Sequence, residues 1–247
     1  MNSNKSKILL YLFYCIAGGM LIPAISACSK NGATLSTDNA YLNIINLSQG
    51  IGTVNLYANT NRVSTATYNY PTASGYFLLN IADTLLQIRP IVAANVPQVN
   101  YLELQRRLQK NVRYTWFLTG SRTDASLDYV ITVDSSSVPT SGRGKIRFVN
   151  LSQNALALNL YANDTLAFAN VPYKTVTKYI EVTNGNYTID ISATSAPASP
   201  VKTLTNFSIL DGRLYTIYTY GLLGRPSNDS AAFNANFVLN TIPDIIR

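Results

Sequence analysis

Residues 54–59 read Val54-Asn55-Leu56-Tyr57-Ala58-Asn59, and residues 158–163 read Leu158-Asn159-Leu160-Tyr161-Ala162-Asn163. In both stretches every second residue is aliphatic and the residues between are Asn or Tyr. That period of two is the period of a β-strand, whose successive side chains point to opposite faces. The two stretches lie 104 residues apart, and so do Asn46-Leu47-Ser48-Gln49 and Asn150-Leu151-Ser152-Gln153. Two blocks matching in one register identify an internal repeat. It continues with small slips: Tyr70 and Tyr76 meet Tyr173 and Tyr179 at 103, and Tyr114 and Gly120 meet Tyr215 and Gly221 at 101. Slips of this size belong in loops. A period near 100 residues is the size of a domain rather than of a solenoid unit.

Working outward, Leu42 and Ile44 match Ile146 and Phe148 in a preceding strand. Further strands are expected at 75–79, 85–91, 113–119 and 127–133, with counterparts at 178–183, 187–191, 214–220 and 233–239. Residues 101–112 also carry a helical stripe, Tyr101, Leu104, Leu108 and Val112. The repeat decides against a helix, because Val201, Thr203, Thr205, Phe207 and Ile209 alternate strictly before Asp211-Gly212, which makes 99–107 a hairpin strand. Many short strands with no long helix predict an all-β chain of two tandem immunoglobulin-like Greek-key β-sandwich domains. The expected boundaries are 38–134 and 145–247, joined by a Ser/Pro/Gly linker at 135–144, and each domain is large enough to fold alone.

Composition narrows the chemistry. The 247 residues include no His and two Cys, and only 13% are charged. Without His there is no Ser-His-Asp or Cys-His nucleophile and no imidazole acid or base near neutral pH. Cys15 and Cys28 cannot build a disulfide framework or a zinc or iron–sulfur site, so no cofactor or metal is expected. Asp124, Asp128 and Asp134 lack the Gly and terminal Glu of a calcium loop. Glu103 and Glu181, the only glutamates, fall in different repeats and offer no carboxylate pair.

The first 27 residues read as an export signal: Lys5 and Lys7, then an uncharged run from Ile8 to Ile22, then small residues. Ile25-Ser26-Ala27-Cys28 resembles the lipobox of bacterial lipoproteins, which implies acylation of Cys28. Several buried acyl chains, at about 0.8 kcal/mol per CH₂, hold a chain on a membrane where one does not. Polar residues 28–37 then form a flexible tether. Cleavage after Ala27 removes Lys5 and Lys7 and lowers the net charge from +7 to +5. That balance is too mild and scattered for a nucleic-acid partner.

The lipobox, the tandem units opening on a hydrophobic strand and Asn-Leu-Ser (Ile44 to Ser48, Phe148 to Ser152), the Asn-Leu-Tyr-Ala-Asn strands and the later tyrosines together resemble domain-of-unknown-function family 4397. The resemblance implies an exported bacterial lipoprotein of β-sandwich domains in the cell envelope, at the outer membrane, and it brings no catalytic motif. The expected function is therefore a non-enzymatic, membrane-anchored binding or spacer module for a glycan or an envelope protein. A fimbrial subunit and, last, a hydrolase using Asp, Tyr or Lys are the alternatives.

The candidate binding residues are the outward rows Asn55, Tyr57, Asn59 and Asn159, Tyr161, Asn163, since an aromatic platform flanked by amides suits a sugar ring and its hydroxyls. Tyr is also favoured in strands for cross-strand packing alone. The Asn-Leu-Ser segments are either glycosylation sequons or Asx-turns. Asp83-Thr84-Leu85, Asp164-Thr165-Leu166 and Asp229-Ser230-Ala231 are either O-glycosylation sites or strand-end loops.

Overall fold

A computed structural model describes residues 38–63 and 65–240. The export signal, Cys28 and the tether lie outside the described residues. Among the described residues the chain forms strands and turns only, and no helix is long and apolar enough to cross a membrane.

The first repeat contains β1 (Asn39–Asn46), β2 (Val54–Ala58), β3 (Asn61–Arg62), β4 (Phe77–Asn80), β5 (Leu85–Pro90), β6 (Leu102–Gln105), β7 (Arg113–Thr119) and β8 (Asp128–Val133). The second contains β9 (Arg143–Asn150), β10 (Ala157–Ala162), β11 (Thr165–Pro172), β12 (Ile180–Thr183), β13 (Gly185–Ala193), β14 (Pro200–Ile209), β15 (Leu214–Tyr220) and β16 (Asn234–Leu239). Each repeat is a pair of four-stranded sheets, ordered β4-β1-β7-β8 and β3-β2-β5-β6 in the first, and β12-β9-β15-β16 and β11-β10-β13-β14 in the second. All pairings are antiparallel except β1 with β7 and β9 with β15, which run parallel. Within the stretch with the helical stripe, Leu102–Gln105 form β6, paired with β5, and the rest, to Val112, is irregular or turn.

Each sandwich fills its interior as the alternation requires. Leu42, Ile44, Leu56, Ile88, Trp116 and Leu118 meet in the first core, and Ile146, Phe148, Leu158, Leu160, Ile191 and Ile217 in the second. A strand the sequence reading missed is β11. Asn163 and Asp164 both have positive φ (46° and 61°) and close a tight β10–β11 hairpin. Paired left-handed residues are the signature of a type I′ turn, for which Asn and Asp are suited. Asp164-Thr165-Leu166 is thus a hairpin turn and strand start.

The larger departure concerns the outer faces of the β1/β7 and β9/β15 sheets. Ile45, Leu47 and Phe117 from the first repeat form one buried cluster with Val149, Leu151, Tyr218 and Tyr220 from the second. The two sandwiches are therefore packed back to back within one compact unit from Asp38 onward. The seam is pseudo-twofold. Phe117 and Tyr218 occupy equivalent positions and touch each other, with ring centroids 5.4 Å apart. Tyr70 packs edge-on against Tyr220 at 6.1 Å, and its counterpart Tyr173 hydrogen-bonds Thr119, the counterpart of Tyr220, at 3.2 Å. A patch that meets its own equivalent is the geometry of an isologous dimer, here within one chain.

Beside the aromatics lies a charged pair. Arg147 on β9 bonds Asp134 at the end of β8, and both are almost fully buried. Thr115, Thr132 and Tyr76 donate hydroxyls to Asp134 at 2.6, 2.7 and 2.7 Å. Arg147 also donates to the Val133 carbonyl at 2.8 Å and to Thr216 at 2.7 Å. The pair crosses the repeats, and the linker is docked as well, through Lys145 on Ser137 at 2.7 Å and 2.8 Å. Equivalent positions on the other side of the pseudo-axis hold Asn43 and Asn240, so the charge is confined to one half.

Breaking such a buried pair strands the surviving charge, at a cost of about 3–5 kcal/mol. Asp134→Ala is expected to lower unfolding free energy in urea by about that amount, whereas Asp134→Asn combined with Arg147→Asn, which copies the Asn43/Asn240 half, recovers most of it. Equal losses in the single and double variants would contradict this account.

Candidate functional site

The Asn-Leu-Ser-Gln blocks end β1 and β9, and the structure gives each residue a task. Asn46 accepts from the Ser48 amide at 3.1 Å, and Asn150 from the Ser152 amide at the same distance. These are Asx-turns, and both asparagines are fully buried, which closes their amides to glycosylation in the folded chain. Ser48 donates to the Gly120 carbonyl at 2.7 Å and Ser152 to the Gly221 carbonyl at 2.8 Å. The two glycines sit at positive φ after β7 and β15, where a Cβ would lie 2.0 Å from the Ser126 carbonyl oxygen and 2.2 Å from that of Ala232. Only glycine fits so close a backbone approach. Leu47 and Leu151 enter the seam.

Gln49 and Gln153 are left at the mouth of a cleft of about 410 Å3, which lies where the ends of β1, β7, β9 and β15 converge. Both repeats line it, with Thr119, Ser121 and Thr123 from one side and Asn154, Leu222 and Arg225 from the other. Gln49 donates to Ser230 at 3.2 Å, and Gln153 donates to Ser126, so each glutamine reaches across to the other repeat. Tyr70 forms one wall and separates this cleft from a second cavity of about 470 Å3, bordered by Pro71, Tyr220, Asp229 and Phe233.

The residues favoured by sequence lie elsewhere, on the outermost sheets. Asn55 and Asn159 are buried, Tyr57 and Tyr161 half-buried, and Asn59 and Asn163 exposed in turns. The Asn159 side chain accepts from the Asn170 amide at 2.8 Å and from Thr194 at 3.3 Å, while Asn163 accepts from the Thr188 amide at 2.8 Å. The Arg89 guanidinium covers the Tyr57 ring at 4.5 Å. These rows thus serve turns and strand packing in large part and do not form a continuous open face. The signal that locates the seam cleft was the other repeated block, whose glutamines had no role in a single sandwich.

Electrostatics in the cleft are quiet. Asp124 is held below the usual carboxylate range by hydrogen bonds from the Ser126 hydroxyl and amide. Arg225 pairs with Asp229 at 2.8 Å. Among the described residues no group of three or more acidic or Cys side chains converges as a metal site. Glu103 accepts from Gln87 and Asn100, and Glu181 from the Thr140 amide; neither lines the cleft.

The seam tyrosines are shifted as well. Burial pushes Tyr70 and Tyr179 up to about 12, and raises Tyr76, Tyr218, Tyr173 and Tyr220 as well. A phenol whose folded value lies above the unfolded value of about 10 binds its proton more tightly when folded. Its stabilisation is complete below pH 10 and is lost as pH rises through the folded value. Stability is therefore expected to fall between about pH 10 and 12, with these phenols ionising together with unfolding in an ultraviolet titration. Full tyrosine ionisation at pH 11 with retained near-ultraviolet circular dichroism would contradict the packed seam.

Comparison with known proteins agrees with the repeat. The model of a domain of unknown function (DUF4397) matches residues 40–161 and again 152–234. No curated protein matches the chain.

Proposed function

The chain belongs to the DUF4397 family, in two copies, and from that premise we propose that it is a non-enzymatic, lipid-anchored envelope protein that holds the seam cleft away from its membrane. The observation that carries this reading is the polarity of β1. Asp38, where the tether arrives, precedes the first residue of that strand, and the cleft lies beyond its last. Eight residues at about 3.3 Å each separate the two ends by roughly 25 Å. The ten-residue tether adds a reach of at most about 33–36 Å. Acylation of Cys28 places the tether end toward the bilayer and the cleft at the opposite pole.

The seam supports a spacer and binding role over a catalytic one. Fusing the sandwiches back to back removes the hinge between them and fixes both walls of the cleft, which lowers the ordering cost of holding a partner. The cleft carboxylate, Asp124, carries a lowered pKa, so it has no proton to give near neutral pH, as a general acid requires. We read each sandwich as a Greek key of immunoglobulin-like class, because the chain crosses between its two sheets at β1–β2, β3–β4, β4–β5 and β6–β7.

Cys28→Ala is expected to move the protein from the membrane to the soluble fraction of the envelope and to abolish incorporation of labelled palmitate. Mass spectrometry of the wild type is expected to find an acylated Cys28 at the amino terminus. A membrane-bound Cys28→Ala variant would overturn the anchor, and an amino terminus downstream of Cys28 would favour the fimbrial alternative.

A further inference from the structure

The two cavities share Tyr70 as a wall, together a groove divided by its side chain, and that wall holds an unmet hydrogen bond. The Tyr70 hydroxyl is buried and has no partner among the described residues. Its repeat counterpart shows what is missing, since the Tyr173 hydroxyl is satisfied by Thr119 at 3.2 Å. The position equivalent to Thr119 on the other side is Tyr220, which offers Tyr70 a ring edge instead of a hydroxyl. An orphaned buried donor is destabilising, because it loses its bond to water and gains none in return. The Tyr70 residue as a whole is half-buried and lines both cavities, so a ligand there meets the hydroxyl only after the side chain turns toward it.

The rest of the lining defines what such a partner is. The ionic groups beside Tyr70 are already committed, Arg225 to Asp229 and Asp124 to Ser126. The other polar lining is neutral: Gln49 and Gln153, with Asn154, already tied to the Leu223 backbone at 2.8 and 3.0 Å, and the bonded pair Ser121 and Thr123. Each glutamine amide has two donors and a carbonyl acceptor; Gln49 uses one donor on Ser230, and Gln153 bonds Ser126 and Asp124, so both carbonyls face the lining as acceptors. Dense neutral donors and acceptors beside Tyr70, Tyr220 and Phe233 match a polyhydroxylated ring, which presents hydroxyls at its edge and C–H groups on its faces. Lys202 lines the second cavity and is the feature there that favours an acidic ligand.

We propose that this groove binds an uncharged oligosaccharide that spans the two cavities and accepts a hydrogen bond from Tyr70. The inference rests on the binding reading of the cleft and specifies its ligand. Calorimetric titration of the full-length chain tests it, with neutral gluco- and manno-oligosaccharides of two to four residues as probes, oligogalacturonates as the acidic arm and Ser/Gly-rich peptides as the peptide arm. A neutral saccharide is expected to bind, and Tyr70→Phe to weaken that binding about three- to tenfold, as the loss of one hydrogen bond implies.

Tyr70→Phe is expected to leave thermal stability unchanged or slightly raised, because the hydroxyl has no protein partner to lose. Tyr173→Phe is expected to do the reverse, with lowered stability and intact binding. Gln153→Ala, at the opposite wall, supplies a second variant. Binding of only acidic saccharide or only peptide, no binding in any arm, or neutral binding unchanged by both Tyr70→Phe and Gln153→Ala would overturn the proposal. Chromatography of the saccharide after incubation separates the two levels: recovery of shortened saccharide would refute the non-enzymatic reading while leaving the groove in place.

Discussion

The back-to-back packing of the β4-β1-β7-β8 and β12-β9-β15-β16 sheets is the constraint on which the other features depend. It buries a second face of strands whose first face already lines a sandwich core, and it does so with Phe117 against Tyr218 at the pseudo-axis and Asp134 against Arg147 beside it. A surface salt bridge contributes little to stability. This one is buried and saturated with hydroxyl and carbonyl partners, so it acts as a register device: any slip between the repeats leaves a charge without its partners. The aromatic layer supplies burial, and the polar layer specifies one arrangement.

From that packing the cleft follows without further machinery. Two equivalent turns, each locked by Asn, Ser and a glycine that tolerates no Cβ, are brought together at one pole, so the same four-residue block supplies both walls. Exact symmetry would have produced two identical hydrogen-bonding tyrosines. The exchange of Thr119 for Tyr220 breaks it, pairing Tyr173 and leaving the Tyr70 hydroxyl without a partner among the described residues. Divergence between the copies, more than their likeness, gives the site its direction.

Much of the fold was legible because its signals are local. Period-two alternation placed the strands at Val54–Ala58 and Ala157–Ala162, and the repeat overruled the helical stripe of Tyr101 to Val112. The turn between Ala162 and Thr165 is legible in principle, since Asn-Asp suits paired positive φ, but nothing local says that Thr165–Pro172 pairs back onto β10 as β11. The outward rows at Asn55 and Asn159 were chosen because alternation says which face a side chain takes. It does not say whether a turn or a neighbouring loop covers that face, and at Asn159 the Asn170 amide does.

The sequence by itself determined the all-β class, the two homologous units, the core face of each strand and the absence of histidine chemistry, because each of these follows from residue type and local spacing. It also held a quieter signal. β7 and β15 carry aromatic residues on the face opposite the core as well, Phe117 in β7 and Tyr218 and Tyr220 in β15, as happens where a strand is covered twice. Only the tertiary structure decided what covers the second face. Pairing Phe117 with Tyr218, or Asp134 with Arg147, depends on the mutual orientation of two sandwiches. That orientation is set by shape complementarity and buried charge over the whole seam, which no single stretch of chain contains.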